Sequence, residues 1–600
     1  MSRLNPQVYE FGRFRLDAKD HLLLREGKPV PLTPKVFETL LVLVQNRGRV
    51  VEKESLIRAL WPDTFVEDNN LAVNISMLRK ALGDQTNGDH YIENIPKRGY
   101  RFVASIREVW EADDESQAIN GQATTEALSA PQEAVTPNKV INSLAVLPLV
   151  NGTADANAEY LSDGITESII NRLSQLPQLR VMARSTVFRY KGRDIDPQEA
   201  GREMNVRAVL TGRLLQLGDS LIIRTELTDI ADGSHLWGEQ YDRKPADLLA
   251  VQEEISWEIS EKLRLKLSGD QIKQLTKRYT ESTEAYRTYL KGRYYWNKRT
   301  PDGLKKGIEY FEQAIHIDPN YALAYAGLAD SYLLLGSVEY SALDPQVARQ
   351  HARKSALEAL RIDNSLSEAH ASLAYVKMFD WDWTDALREF SRAIELNPGY
   401  ATAHHWYALY LMAMNNQAEA SAEIETAREI DPLSLPIIAG VGWHFYLTRQ
   451  YTEAIEECRR ALEMDSNFYM AHFVRGLSYV QLSRYAEALE EYGQGSRLSG
   501  DTPLLLAAQG HVFALLQRID ETEKVLDELF RMSRRRYVSP YYIAVIYTGL
   551  GEVDKAFEWL ERACESHSEG LMWLKVDPTI DRLRLDDRFT NLVRRVGLAP

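Results

Sequence analysis

"LAVNISMLRKALGDQTNGDHYIENIPKRGYRFVA", residues 71–104, decides the reading of the N-terminal part of the chain. Leu71, Ile75, Leu78 and Leu82 recur at i, i+4, i+7 and i+11, the spacing that turns one apolar face of a helix toward a core. The other face is read as Asn70, Asn74 and Met77 in one row, flanked by Asn69, Val73, Arg79 and Lys80. Asparagine can pair bidentately with adenine, an apolar side chain can touch a thymine methyl, and Arg or Lys at a helix edge suits a phosphate. A polar outward face is also the default of any amphipathic helix, so the helix alone does not fix its role. The residues after it add a second signal. Pro96 fixes φ and Gly99 permits positive φ, which predicts a tight hairpin tip presenting Lys97 and Arg98 to solvent. A cationic tip beside such a helix suits a minor groove or a row of phosphates.

Upstream, Tyr9, Phe11, Phe14 and Leu16, then Leu22 to Leu24, then Val30 and Leu32, read as short strands broken by Gly12 and Gly27. Thr33-Pro34 is a helix start, with Val36, Phe37, Leu40, Leu41 and Val44 as the apolar face before Gly48. A second helix is expected over about 53–60, ahead of Trp61-Pro62, and a third from about Asp68 to a C-terminal cap at Gly83.

This arrangement resembles the winged-helix DNA-binding domain of the OmpR/PhoB type, found also in ToxR-like and CadC-like regulators. The residues that carry the resemblance are "LTPKVFETLLVLVQNRGRVVEKESLIRALWP", "VEDNNLAVNISMLRKALGD" and "YIENIPKRGYRFVA". It implies that 68–82 is the major-groove recognition helix, that Arg79 contacts phosphate, and that 94–101, with Arg101, form the wing. Several relatives carry arginines where this chain has Asn69, Ser76 and Met77, so the target sequence does not transfer. No receiver domain is expected ahead of the winged helix and no membrane helix after it.

The formal charge of −15 opposes DNA binding at first sight, but it is unevenly spread. Residues 1–107 hold 17 Lys and Arg against 13 Asp and Glu, an excess of four positive charges, which leaves −19 on the remainder. Exposed charges are screened over about 8 Å at physiological ionic strength, so a local basic patch can hold phosphates. Cys458 and Cys564 are the only cysteines, which excludes a disulfide framework and a Cys-rich zinc site and points to the cytoplasm. No apolar run reaches the length of a membrane span or a signal peptide, so a soluble protein with no membrane contact is expected.

Residues 111–140 lack aromatic residues and sustained periodicity and read as a flexible tether. Beyond it, "SLAVLPL" at 143–149 has a buried-strand pattern, followed by a helix near 159–176, strands near 179–182, 206–217 and 220–229, a hairpin at Gly218-Asp219 and a closing helix near 245–267. Through "YLSDGITESIINRLSQLPQLRVMARSTVFRYKG" and "VLTGRLLQLGDSLIIRTELTDIADGSHLWGEQYDR" this α/β region resembles the TolB N-terminal-like domain, which implies a fold and a role in assembly but no chemistry. Asp163, Glu167, Asp229, Asp232, His235, Glu239 and Asp242 fit no ligand or acid/base spacing, so no catalytic residue, metal ligand or cofactor is assigned.

From about 281 the chain repeats. Ala386, Ala420, Ala454, Ala488, Thr522 and Ala556 stand 34 residues apart, as do Ala374, Ala408, Gly442, Gly476, Gly510 and Ala544. This resembles the tetratricopeptide repeat, with Pro319, Pro398 and Pro432 ending second helices, and about eight helix pairs are expected with an insertion near 337–347. Stacked pairs form a superhelix whose concave surface binds protein. His404-His405 is no metal pair, because adjacent helical residues point about 100° apart.

The fold class read here is multidomain and mainly α: winged helix at 1–107, linker at 108–140, small α/β sandwich at 141–268, then an α-solenoid of tetratricopeptide repeats with a cap at 281–600. The function expected is a sequence-specific DNA-binding transcriptional regulator, not an enzyme, that binds double-stranded DNA as a homodimer and a protein or peptide through its array, with RNA polymerase as a further partner. A scaffold whose winged helix contacts protein instead of DNA is the alternative.

Overall fold

The computed structural model describes most of 8–60, isolated positions between 71 and 82, most of 91–109, and 141–598 apart from short gaps. The chain divides into two units, Met1–Ala134 and Val135–Pro600. The tether, the caps at Thr33 and Gly83, Trp61-Pro62 and the Gly218-Asp219 hairpin tip lie outside the described residues.

In the first unit, strands β1 (Val8–Phe11), β2 (Phe14–Asp17), β3 (Leu22–Arg25) and β4 (Lys28–Pro29) form an antiparallel sheet. Its fifth strand was not foreseen. β8 (Ile106–Val109), from beyond the wing, pairs with β1 and gives the order β4-β3-β2-β1-β8. Helix α1 (Pro34–Gln45) begins at proline, whose fixed φ suits a first helical position, and ends three residues before Gly48, which takes φ +72°. A second, three-stranded sheet holds β5 (Val50–Glu52), β6 (Ile92–Ile95) and β7 (Gly99–Phe102) with β7 central, and α2 (Lys53–Leu60) follows β5 directly. Phe11 sits between Phe14, Tyr91 and Phe102, with ring centroids 5.7, 6.0 and 5.0 Å away, which locks the two sheets together.

In the second unit, β9 (Ser143–Val146) runs parallel to β11 (Arg180–Val181) and β12 (Ala208–Leu217), while β12, β13 (Ser220–Asp229) and β14 (His235–Arg243) form an antiparallel meander. β10 (Val150–Asn151) extends alongside β12. Leu221, Ile223 and Leu227 of β13 are buried while Arg224 and Glu226 are exposed, so one face is covered, and the helices Glu159–Leu173 and Leu248–Lys262 contribute to the same core. The closing helix expected near 245–267 is Leu248–Lys262, and a further helix not foreseen, Gly269–Leu275, follows it, started by a capping box of Ser268 and Gln271. A short helix at Pro197–Glu203, capped by Asp196, was missed despite its Asp-Pro start.

Eight helix pairs follow among the described residues, from Thr283–Trp296 and Pro301–Ile317 to Pro540–Leu550 and Val553–Glu565. The insertion separates Ala322–Gly336 from Pro345–Ile362, where Asp344 caps the second helix of the pair. The turn within a pair is a second signature of the period: Trp381, Asn415, Arg449, Ser483, Gln517 and Gly551 all have positive φ. These six positions stand 34 residues apart, and only the last is glycine.

The coil closes on itself. Gln346 Nε2 donates to the Ser566 carbonyl at 2.7 Å, Trp383 Nε1 donates to the Val596 carbonyl at 2.7 Å, and Arg449 pairs with Asp581 at 2.7 Å. The α/β region is fastened to the array as well. Glu167 accepts from Arg293 Nε at 2.7 Å and Asn297 Nδ2 at 2.8 Å, with Arg184 Nε at 3.1 Å. Farther along, Thr186 Oγ1 donates to Asp431 at 2.7 Å and the Ala183 N–H to the Ile430 carbonyl at 3.1 Å. Burial pushes the Glu167 carboxyl up, but the Arg293 and Arg184 guanidiniums outweigh it and hold the group below the usual glutamate range.

Two outcomes test this account. Gly551→Ala meets open space, so its cost is conformational alone: about 1 kcal/mol, read as a lower midpoint in urea unfolding. Glu167→Gln leaves Arg184 and Arg293 in a largely buried site without their carboxylate, a loss of about 3–5 kcal/mol. Because the folded pKa is lowered, the Glu167 contribution is complete above its ordinary value of 4.5 and fades as pH falls through the lower folded value. Acid titration of the wild type should therefore weaken the junction, and the Gln variant should lack that dependence.

Candidate nucleic-acid interface

The third helix of the first unit is seen at Leu71, Asn74, Ile75, Leu78, Arg79 and Leu82. Leu71, Ile75, Leu78 and Leu82 are all buried among Val36, Leu40, Leu56 and Tyr91, so the face expected to pack inward does so. The hairpin that follows is β6 and β7, paired from Ile92↔Phe102 to Ile95↔Gly99. Gly99 is required there for a reason other than the one its sequence suggested. Its φ is not positive; a Cβ would stand 2.0 Å from the Val51 carbonyl oxygen, so only glycine lets β5 approach β7.

Of the ten residues expected to meet DNA, Asn69, Asn70, Val73, Met77, Lys80 and Lys97 lie outside the described residues. The other four separate into one exposed cation and three engaged side chains. Arg98 stands exposed in the turn, where its N–H donates to the Ile95 carbonyl at 3.1 Å and its carbonyl accepts from the Lys53 N–H at 3.2 Å. Those two backbone bonds fix the tip to the start of α2.

Asn74 is a correction. It is 9% exposed and its Nδ2 donates to Thr39 Oγ1 of α1 at 3.2 Å, so it faces the core. The helical step explains the misreading: at i+3 from Leu71 and i+4 before Leu78, Asn74 lies on the apolar stripe, where a polar residue is admitted because it has a partner. Arg79 is half-buried, and its Nη2 donates to the Ile92 carbonyl at 3.0 Å, which ties the helix to β6. Arg101 Nε donates to Glu93 at 2.9 Å across the β6–β7 pair. That pair is about a third exposed, so solvent screens it and the arginine can exchange its partner for a phosphate at little cost.

A residue absent from the sequence-based set is Arg49. It is exposed beside Gly48, whose N–H donates to the Phe102 carbonyl at 3.0 Å and so places this turn at the end of the wing sheet. The signal was a cation flanking a glycine between two elements. Elsewhere, the acids of the α/β region are engaged structurally: Asp163 with Lys191, Glu167 with Arg293, and Asp229 with Arg207 at 2.7 Å. No cluster able to hold a metal ion occurs among the described residues, and none of their helices is long and apolar enough to cross a membrane.

Comparison with known proteins gives three matches to family models. Residues 27–102 match "Transcriptional regulatory protein, C terminal", 140–257 match "HilA/YgeH-like transcriptional regulator, second domain", and 442–501 match "Tetratricopeptide repeat". The chain is similar along 97% of its length to the whole of the transcriptional regulator HilA of Salmonella typhi, at 22% identity over 598 residues. It is 27% identical over 113 residues to the transcriptional activator CadC of Escherichia coli, 19% of this chain and 22% of CadC. A protein named putative adenylate cyclase 3 from Rhizobium meliloti is 30% identical over 331 residues, 52% of this chain and 55% of its own length, so the chain spans about half of that relative. The middle region thus matches a regulator domain; the likeness to TolB is not among these matches.

The Asn74 reassignment has a measurable consequence. Asn74→Ala leaves Thr39 Oγ1 without its amide and is expected to cost about 1 kcal/mol in urea unfolding of the first unit. A base-reading asparagine would instead leave stability untouched.

Proposed function

We propose that this chain is a sequence-specific DNA-binding transcriptional regulator whose repeat array binds a protein or peptide partner. The observation that carries the reading is Arg98, exposed on a short rigid wing beside a helix anchored by four buried leucine and isoleucine side chains, within the segment that matches regulator DNA-binding domains. A helix of that placement fits a major groove while a cationic tip reaches phosphates or the minor groove.

The proposed division of labour follows from side-chain chemistry. Asn69, Asn70, Val73 and Met77 read base edges, while Lys80, Lys97, Arg98 and Arg101 meet the backbone, Arg101 by leaving Glu93. Asn74 and Arg79 position the helix and do not face the duplex. The domains proposed are 1–107 for DNA binding, 108–140 as tether, 141–268 as a TolB N-terminal-like region for assembly, and 281–600 as the array. Two copies act together on DNA, with RNA polymerase as a partner, in the cytoplasm.

The relative named as a cyclase raises an enzyme reading. Against it stands the engagement of Asp163, Glu167 and Asp229 in ion pairs, which leaves the acids of the α/β region serving its fold. Gel-shift titration of the full chain against genomic duplex fragments tests the proposal. Exchange of Lys97 and Arg98 to alanine should weaken binding and reduce the slope of log K against log salt by about one unit per lost phosphate contact. Absence of affinity for any duplex at low salt would leave the scaffold reading in its place.

A further inference from the structure

A cavity of about 770 Å³ lies inside the coil of helices, bounded by Ser185 and Arg189 of the α/β region, by the array from Lys298 to Val545, and by the terminal segment from Glu569 to Thr579. That volume falls in the range of sites that enclose organic molecules, roughly 300–1,000 Å³. Its wall is aromatic: Tyr375, Phe379, Trp406, Trp443, Phe473 and Trp573 all line it.

The charged groups on the wall divide by whether the protein already supplies their partners. All four acids have one. Asp431 accepts from Thr186 Oγ1 at 2.7 Å, Asp465 from the Asn467 N–H at 2.9 Å, Asp577 from Tyr541 at 2.6 Å, and Glu569 faces Arg349 at 3.5 Å. The cations Arg189, Lys298 and Arg299 have no ion pair and no side-chain hydrogen bond among the described residues. Lys298 and Arg299 are exposed and Arg189 is half-buried; Arg299 lies 3.7 Å over Trp296, Lys298 lies 4.5 Å over Tyr295, and the Arg299 charge also acts on the Asp431 carboxylate. His405 and His511 also line the cavity without a hydrogen-bond partner among the described residues, and burial pushes both down to about 4, so each is a neutral donor and acceptor at pH 7.

We infer that the interior of the coil is a binding site for a small amphipathic organic anion, its planar apolar body among Trp406, Trp443 and Phe473 and its carboxylate, sulfonate or phosphate on Arg189, Lys298 and Arg299. The asymmetry of partners carries the charge of the ligand: an added anion meets three cations that have no ion pair among the described residues, whereas an added cation would compete with the donors that each acid already has. The aromatic wall carries its body, since offset ring contacts add to simple burial. A molecule held there touches the α/β region through Arg189 and the array through Trp406, Trp443 and Phe473, so its binding free energy stabilises their common arrangement. This site is independent of the DNA reading.

A matched pair of probes tests it on the full chain. 1-Anilinonaphthalene-8-sulfonate and neutral N-phenyl-1-naphthylamine share a ring body and differ by the sulfonate. One sulfonate probe per chain is expected, bound about tenfold or more weaker by the Arg189→Glu, Lys298→Glu, Arg299→Glu triple variant, with the neutral probe unchanged. Thr402→Trp, which narrows the wall, should weaken both probes, and a thermal melt of each variant confirms that it is folded. Sulfonate binding indifferent to charge reversal, binding at several sites, or no binding by the folded wild type would each overturn the inference.

Discussion

The distance of approach between neighbouring helices, set by one small residue per repeat, is the constraint on which the larger unit depends. Ala386, Ala420, Ala454, Ala488, Thr522 and Ala556 are all fully buried, and a larger side chain at these points would push every later helix outward. The same holds at the partner position. A Cβ on Gly476 would stand 2.2 Å from the Tyr492 ring, and one on Gly442 would stand 2.8 Å from Cys458 Sγ. Because the offset recurs at each repeat, the curvature accumulates, and the chain meets its own earlier helices through Gln346, Trp383 and Arg449. The aromatic cavity is what remains when the coil has turned far enough to be closed by its last segment.

Closure makes the junction between the α/β region and the array more than a point of attachment. Desolvating Glu167 with Arg184 and Arg293 costs free energy that apolar packing would avoid. The return is orientation. A smooth apolar face accepts several rotations, whereas a carboxylate that needs Arg293, Asn297 and Arg184 at once accepts one. The second tie, Thr186 to Asp431, lies on a different repeat, so the region spans the opening between early and later helices and Arg189 reaches the cavity wall.

Local periodicity was legible and long-range partnership was not. The number of helix pairs, the insertion, the helix at Pro34 and the wing strands all follow from spacings no longer than the 34-residue repeat, which a single pass along the chain can count. The type of Asn74 suggests an outward face, but the helical step places it beside Leu71 and Leu78, and the angle decides. The acids of the α/β region looked unassigned because Glu167 finds Arg293 126 residues away and Thr186 finds Asp431 245 residues away. β8 escaped for the same reason, since nothing in 106–109 says that its partner is β1 at the far end of the domain. Six of the ten expected DNA-facing residues lie outside the described residues, so for them the helical spacing and the family resemblance are the whole argument.

The charge division gives the proposed regulator its selectivity. Non-specific attraction to DNA grows with the number of phosphates a protein neutralises, and it is the background against which a specific site must compete. With fifteen net negative charges over 600 residues, the rest of the chain adds no net attraction of its own to that background. An excess of four positive charges in the first 107 residues is enough to hold a few phosphates locally, since the acidic remainder is screened beyond about 8 Å. The cost is affinity, because one wing and one helix engage few base pairs. In the proposed regulator, pairing of copies on adjacent half-sites would recover it without adding positive charge, since the second head would bind at a raised effective concentration.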